Sequence, residues 1–178
     1  WGFETQDAVP DMVVLGKPVG SGHPVGVVIT TEDIAASFAN GMEFFSTFGG
    51  TTMACEIGAE VLCIVDDEGL QQNAKLQGQR LRDGLRQLQQ RHMLIGDVRG
   101  RGLFLGVELV TDRTTKDPAT ALAGYVSNRL RDHRILIGTD GPHDNVLKIR
   151  PPLTIGAADC ELLLARLDDI LLEADLLN

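Results

Sequence analysis

The residues best suited to chemistry lie near the start of the chain, where a lysine follows a short apolar run and precedes a turn. The run is Met12–Leu15, and the turn after Lys17 contains Pro18 and Gly20. An uncharged lysine amine can form a Schiff base with an aldehyde, and apolar surroundings favour this by lowering the pKa of the amine. Lys17 is therefore a candidate nucleophile. The alternative is a lysine that only extends into solvent from a strand end.

The segments around Lys17 predict the elements that position it. Continuous apolar character in Met12–Leu15 indicates a strand buried on both faces, and residues 24–29 predict a second strand paired near it. In open parallel sheets, ligands bind outside the carboxyl ends of the strands. Lys17 would lie at such an end, where a buried strand and a tight turn would desolvate its amine.

A second candidate site is a helix start that follows two glycines. Gly49-Gly50 precede a helix predicted over about residues 51–67, because its apolar residues recur at three- and four-residue steps. Backbone amides and the helix dipole attract anions at such a start, and Thr47 lies close by in the sequence. The alternative is an ordinary capped helix start.

The rest of the chain predicts a small α/β layer from about residue 94 onward. Upstream, Thr30-Thr31 open a short helix with a pattern like a capping box, and a partly exposed helix covers about residues 70–90. Farther along, the pattern predicts two strands within residues 95–110, a helix with Pro118 in its first turn, and strands at 135–137 and 146–150. A last helix is predicted over residues 157–174, and its apolar spacing predicts burial of Leu162, Leu163, Leu167, Ile170 and Leu171.

Composition limits the classes of partner and compartment. The 178 residues carry a net charge of −9 and no basic block, which argues against nucleic acid or an anionic membrane as partner. No apolar run reaches the roughly 20 residues that a membrane span needs. Of the three cysteines, Cys55 and Cys63 share one predicted helix, so we expect small core residues in a reducing, cytoplasmic compartment and no metal site. The start at Trp1 without methionine suggests part of a longer chain.

Four segments resemble, in order, the motifs of class III (subgroup II) pyridoxal-phosphate aminotransferases, a family with fold-type-I architecture. The resemblance implies an α/β fold that comprises the C-terminal part of such an enzyme. The end of the cofactor-binding large domain would cover residues 1–67, a connecting helix 68–93, and the small α/β domain 94–178. The motifs are the lysine segment at residues 10–24, Ser46-Thr-Phe-Gly-Gly50, Gly96-Asp-Val-Arg-Gly-Arg-Gly-Leu103 and Pro151-Pro-Leu153.

The resemblance also implies residue roles. Lys17 is similar to the lysine that holds pyridoxal 5′-phosphate as a Schiff base and moves the substrate proton. Thr47 resembles the threonine that reaches across the dimer interface to the phosphate of the neighbouring subunit's cofactor. Lys148 occupies the place of the family's arginine for the substrate α-carboxylate, and a lysine keeps that charge without the bidentate fork. Arg150 lies close enough in the sequence to be a substitute.

The implied function is that of a homodimeric aminotransferase that transfers an amino group from an amine or amino acid to a keto acid. Residues 139–152 most resemble the ethanolamine-phosphate and phosphohydroxylysine phospho-lyases, so elimination of phosphate from a phosphorylated amine is an alternative. A second alternative is a catalytically silent dimerisation or regulatory module. It arises because the family's pyridine-nitrogen aspartate, stacking aromatic residue and main phosphate loop lie upstream of the lysine.

Overall fold

The computed structural model describes residues 1–175, and the chain divides into two compact units after Glu68. The small domain expected over 94–178 includes residues 176–178, which lie outside the described residues. In residues 1–175, no helix is both long and apolar enough to span a membrane. The same residues contain no cluster of three side chains that commonly ligate metals.

The first unit contains an antiparallel pair of strands, β1 (Met12–Leu15) and β2 (Val27–Thr30). Met12 pairs with Thr30 and Leu15 with Val27, so the predicted pairing is confirmed. The predicted burial on both faces is wrong, since Met12 and Val14 are exposed. The expectation of a parallel sheet is also wrong for this unit. A ribbon of two strands has too few neighbours to cover both of its faces.

The helices of the first unit are α1 (Glu32–Phe38) and α2 (Thr52–Asp67). α2 confirms the predicted helix to within one residue. The predicted capping box is wrong, because the N-cap of α1 is Thr31 and its side chain makes no capping hydrogen bond. Cys55 and Cys63 are exposed rather than core residues. The residues that α2 buries are small, namely Ala54 and Gly58.

The second unit is a four-stranded antiparallel sheet with three helices. Its strand order is β3-β4-β6-β5, α3 and α4 pack on the sheet, and α5 packs against both helices. The helices confirm the predicted α/β layer and assign α3 to the same unit as the sheet. The elements are α3 (Leu70–Arg91), β3 (Ile95–Arg101), β4 (Phe104–Leu109), α4 (Thr120–Asp132), β5 (Gly138–Asp140), β6 (Val146–Ile149) and α5 (Ala157–Asp175).

Three local predictions in this unit are wrong. Pro118 forms an isolated bridge with Val110, so α4 begins two residues later. The strand expected at residues 135–137 forms instead at β5, because Ser127 of α4 donates a hydrogen bond to the carbonyl oxygen of Ile137 at 2.8 Å. Leu162 is 46% exposed, whereas the other predicted apolar residues of α5 are buried.

The core lies between the helices and one face of the sheet. α3 contributes Leu81, Leu85 and Leu88, as its apolar spacing predicts, and the strands contribute alternate residues such as Leu105 and Val107. The opposite face of the sheet carries polar and charged side chains, together with the exposed Phe104. This one-sided burial follows from the two-residue period of a strand.

α3 approaches the β3–β4 turn at backbone contact distance. A Cβ atom added at Gly78 would lie 2.2 Å from the carbonyl oxygen of Gly102, and Gly102 itself has a φ of +53°. The turn backbone cannot retreat without disturbing the pairing of β3 with β4. A helix position without a side chain is therefore required here.

We expect Gly78→Ala to destabilise the second unit by about 1–3 kcal/mol, because the new methyl group overlaps a backbone carbonyl. The matched control is Gly124→Ala in α4, where a Cβ atom meets nothing within 4 Å. That change is expected to be neutral or to stabilise by up to about 1 kcal/mol. Amide hydrogen exchange of α3 and α4 measures both effects, and equal protection in the two variants would contradict the prediction.

α4 and α5 are joined by a bidentate ion pair. The Arg129 guanidinium donates to the two Glu173 carboxylate oxygens at 3.0 and 3.1 Å, and Tyr125 donates to the same carboxylate at 3.2 Å. The hydrogen bonds from Arg129 hold the pKa of Glu173 below its ordinary 4.5. The charged carboxylate is thus the form that the folded chain favours.

The Glu173 pair predicts a pH-dependent stability. A carboxyl group whose pKa is lowered on folding stabilises the fold fully above its unfolded-state pKa of 4.5 and ceases to do so as the pH falls through the lower folded-state pKa. Glu173→Gln should therefore lower the melting temperature at neutral pH, and the difference should shrink below about pH 4.5. Glu161→Gln, which removes a single contact with Arg80, should have a smaller effect. A difference that is constant from pH 7 to pH 3 would refute this.

Candidate functional site

Lys17 lies just beyond the end of β1, as the sequence predicts, and begins a 3-10 turn that spans Lys17–Gly20. Val19 and Gly20 of this turn are buried, and α2 packs against the turn. The Lys17 side chain is exposed and makes no hydrogen bond or ion pair with any residue in 1–175. The apolar surroundings expected for its amine are therefore missing from the described part of the chain, while the amine is accessible to a ligand.

Thr47 lies in a stretch before α2 that forms neither helix nor strand. The Gly49 amide donates to Ser46 Oγ at 3.0 Å, and Gly50 has a φ of +70°, so the backbone turns sharply before α2 begins. Thr51 is the N-cap of α2, but its side chain bonds none of the first-turn amides. The Thr47 side chain is exposed and forms no hydrogen bond among residues 1–175. No contact in this part of the chain joins it to Lys17.

Lys148 lies on β6, on the sheet face opposite the helices. The strand pairing aligns it with Gly106 of β4 on one side and Gly138 of β5 on the other. Its ammonium forms an ion pair with the Asp140 carboxylate, which comes from the neighbouring strand β5. The side chain of Lys148 is 26% exposed, and that of Asp140 is 52% exposed.

A groove of about 370 Å³ follows this open face of the sheet. Gly106 forms part of its floor, because a glycine leaves space between the side chains of β3 and β6. Arg99 of β3 lines the groove together with Lys148, Asp140 and Phe104. The Arg99 guanidinium donates to Asp97 at 2.8 Å and to Glu108 at 2.5 Å.

The sequence alone misses Asp140 as a partner of Lys148. β5 and β6 form a hairpin in which Asp140 lies opposite Val146, so Asp140 and Lys148 are diagonal neighbours on one face. The Lys148 ammonium and the Gly141 amide, which donates at 2.8 Å, hold the pKa of Asp140 below its ordinary value. The signal in the sequence is the turn at Gly141, which predicts a hairpin that brings Asp140 close to Lys148. The incorrect placement of the strand at 135–137 concealed it.

Asn73 of α3 anchors the segment that follows β6. Its side-chain amide donates to the carbonyl oxygens of Leu153 and Ile155 at 2.7 and 3.0 Å. Gln77, one turn farther along α3, donates to the Asn73 side chain at 3.3 Å. Helix α3 thus fixes the chain just beyond the strand that carries Lys148.

Two side chains of the first unit suit the groups of a phosphorylated aldehyde. A primary amine such as that of Lys17 bonds covalently to an aldehyde carbon, and a hydroxyl such as that of Thr47 donates a hydrogen bond to a phosphate oxygen. Neither group is engaged by another residue in 1–175. The donor set therefore fits pyridoxal 5′-phosphate, although it supplies only part of a complete cofactor site.

Comparison with known proteins places these features in a family. The family model "Aminotransferase class-III" matches residues 1–171. The Alanine–glyoxylate aminotransferase 2-like protein of Drosophila melanogaster is 47% identical over 155 residues, which are 86% of this chain and 31% of that protein. Ethanolamine-phosphate phospho-lyase homolog 1 of Caenorhabditis elegans is 40% identical over 174 residues, which are 96% of this chain and 37% of that protein.

Solved structures agree. A phospholyase from Arthrobacter in complex with phosphoethanolamine superposes with a TM-score of 0.91 at 38% identity, over 96% of this chain and 40% of that one. A Bacillus anthracis aminotransferase gives a TM-score of 0.88 at 29% identity, over 97% and 41%. The chain thus spans about a third of the curated relatives described above and two fifths of these solved chains. Sequence, fold and residue pattern together show that the chain belongs to the class III aminotransferase family.

Proposed function

We propose that the protein acts as a pyridoxal-phosphate-dependent aminotransferase, which transfers an amino group from an amine or amino acid to a keto acid. The observation that carries this proposal is the accessible Lys17 at the end of β1, in a chain whose family model matches residues 1–171. When bound, the cofactor supplies an electron sink for the negative charge that develops on the substrate carbon.

Lys17 has two tasks in this proposal. Its amine would hold the cofactor covalently through the aldehyde carbon, and in its neutral form the amine would accept the proton from the substrate carbon and return it. The short turn Lys17–Gly20 packs against α2 through buried residues, which fixes the point from which the side chain extends. A fixed backbone with a flexible side chain suits Lys17, because its amine must first bond to the cofactor and then move a proton.

Thr47 supports a homodimer in this proposal. Its hydroxyl is unengaged within residues 1–175 and would donate to the cofactor phosphate of the partner subunit. Phe44, Phe45 and Phe48, which flank Thr47, are 75–82% exposed. A group of aromatic side chains that is exposed in the single chain is typical of a surface that becomes buried at the centre of a protein interface. A reducing, cytoplasmic location is also proposed, and the free Cys55, Cys63 and Cys160 support it.

Phospho-lyase chemistry is the second candidate function, and two observations favour it. By the resemblance, Lys148 takes the place of the family's arginine for a substrate α-carboxylate, and its ammonium would suit a phosphate as well as a carboxylate. The Arthrobacter phospholyase, whose structure contains phosphoethanolamine, also gives a TM-score of 0.91. In this reaction a phosphorylated amine would lose phosphate by elimination, and water would hydrolyse the unsaturated amine that remains to an aldehyde and ammonia.

We expect Lys17→Ala in the complete protein to abolish covalent retention of the cofactor and to reduce turnover by at least about a hundredfold, because one side chain serves as both anchor and base. Mass spectrometry after borohydride reduction measures the covalent adduct. Lys75→Ala on α3 is the control and should keep the adduct. A wild-type chain that takes up no cofactor would favour the silent dimerisation or regulatory module instead.

The two reactions differ in whether they need an acceptor. Incubation of the complete protein with phosphoethanolamine and no keto acid should release no more than background phosphate if it is an aminotransferase. The same protein with alanine as donor and glyoxylate as acceptor should form pyruvate and glycine. Phosphate release without a keto acid would contradict the aminotransferase proposal for this substrate and would favour the phospho-lyase function.

A further inference from the structure

Two basic side chains, Arg99 and Lys148, line the groove on the open face of the second unit's sheet, and they are in different electrostatic states. Arg99 contacts two carboxylates, Asp97 and Glu108, and its pKa is raised mainly by these hydrogen bonds. Lys148 contacts a single carboxylate, that of Asp140. Lys148 is therefore the less compensated of the two cations that line the groove.

Asp140 is held in place for its contact with Lys148. Its other oxygen accepts the Gly141 amide at 2.8 Å, so the carboxylate is bonded to the turn of its own hairpin. Arg150, just beyond the end of β6, adds a smaller favourable charge, which helps to keep Asp140 ionised. A carboxylate fixed next to an ammonium has a high effective concentration, which a dissolved carboxylate or phosphate must match to displace it.

We propose that Asp140 is a specificity-determining residue of the groove, where it competes as an internal carboxylate for the Lys148 ammonium. This inference rests on the proposed function only in taking Lys148 as the residue that meets a substrate's anionic group. A carboxylate or phosphate binds Lys148 by displacing Asp140, so the groove discriminates against weakly held anions. Substrates whose remaining contacts are strong enough overcome this competition.

The geometry makes the competition local. Lys148 and Asp140 are diagonal neighbours across β5 and β6, and Gly106 on the other side of Lys148 has no side chain to share the ammonium. Glu108 lies on the same open face but contacts Arg99 instead. Removal of one negative charge at position 108 therefore changes the charge of the face equally without releasing Lys148. Glu108→Gln is for this reason a matched control for Asp140→Asn.

The test is a titration of the isotope-labelled full chain with inorganic phosphate, and separately with acetate, at pH 7.5 and constant ionic strength. NMR shifts of the backbone amides of Gly106, Gly138 and Lys148 report binding in the groove. We expect Asp140→Asn to tighten binding about three- to tenfold, because the variant removes both the competitor for the ammonium and a negative charge that repels the incoming anion. Glu108→Gln should change it by less than about twofold.

The double variant Asp140→Asn/Lys148→Ala should show no gain over Lys148→Ala, because the competition requires the ammonium. A gain for one anion alone would support the proposal and identify the chemistry of the substrate group. The proposal is overturned if neither anion gains, if the gain persists without Lys148, or if Glu108→Gln gains as much. Asp140→Ser replaces Asp140→Asn if the latter fails to fold. The titration contains no cofactor, so a negative result overturns only the role of Asp140. The proposed function is tested separately by the Lys17→Ala experiment.

Discussion

The fold of the second unit depends on how closely α3 approaches the sheet. At Gly78 the helix backbone meets the carbonyl group of Gly102 in the β3–β4 turn, with no side chain between them. This distance lets the apolar residues of α3, such as Leu81 and Leu85, reach the core completely. With one face of the sheet covered in this way, the charged residues of β3, β5 and β6 are confined to the other face. The candidate substrate groove is therefore a by-product of one-sided packing.

Periodicity in the sequence predicts most of the long elements. α2 and α3 agree with the structure to within one residue because each has a clear apolar spacing and a glycine near its start. Short elements are harder to predict, as the strand expected at 135–137 shows. There the end of α4 takes the backbone hydrogen bonds of Ile135 and Ile137, a tertiary effect that no local pattern contains. Burial of β1 was overestimated for a similar reason, since an apolar run does not specify how many neighbours it has.

Prediction of the candidate site was uneven in the same way. Lys17 and Thr47 are marked by motifs, and the structure adds where they lie and that no residue in 1–175 engages either side chain. Asp140 has no motif, and its importance appears only when β5 pairs with β6. The roles of Lys17, Thr47 and Lys148 still derive from resemblance. The structure contributes the charge state of the groove around Lys148, which resemblance does not predict.

The hydrogen bonds of Asn73 restrain the strand that carries Lys148. β6 is held at one end by its hairpin with β5 and, just beyond the other end, by the Asn73 amide through Leu153 and Ile155. Asn73 lies in the first turn of the 22-residue helix α3, so the segment that follows β6 is bonded to the start of that helix. The strand of Lys148 is therefore restrained on both sides, and α3, which provides one of these restraints, is itself held in the core by Leu85 and Leu88.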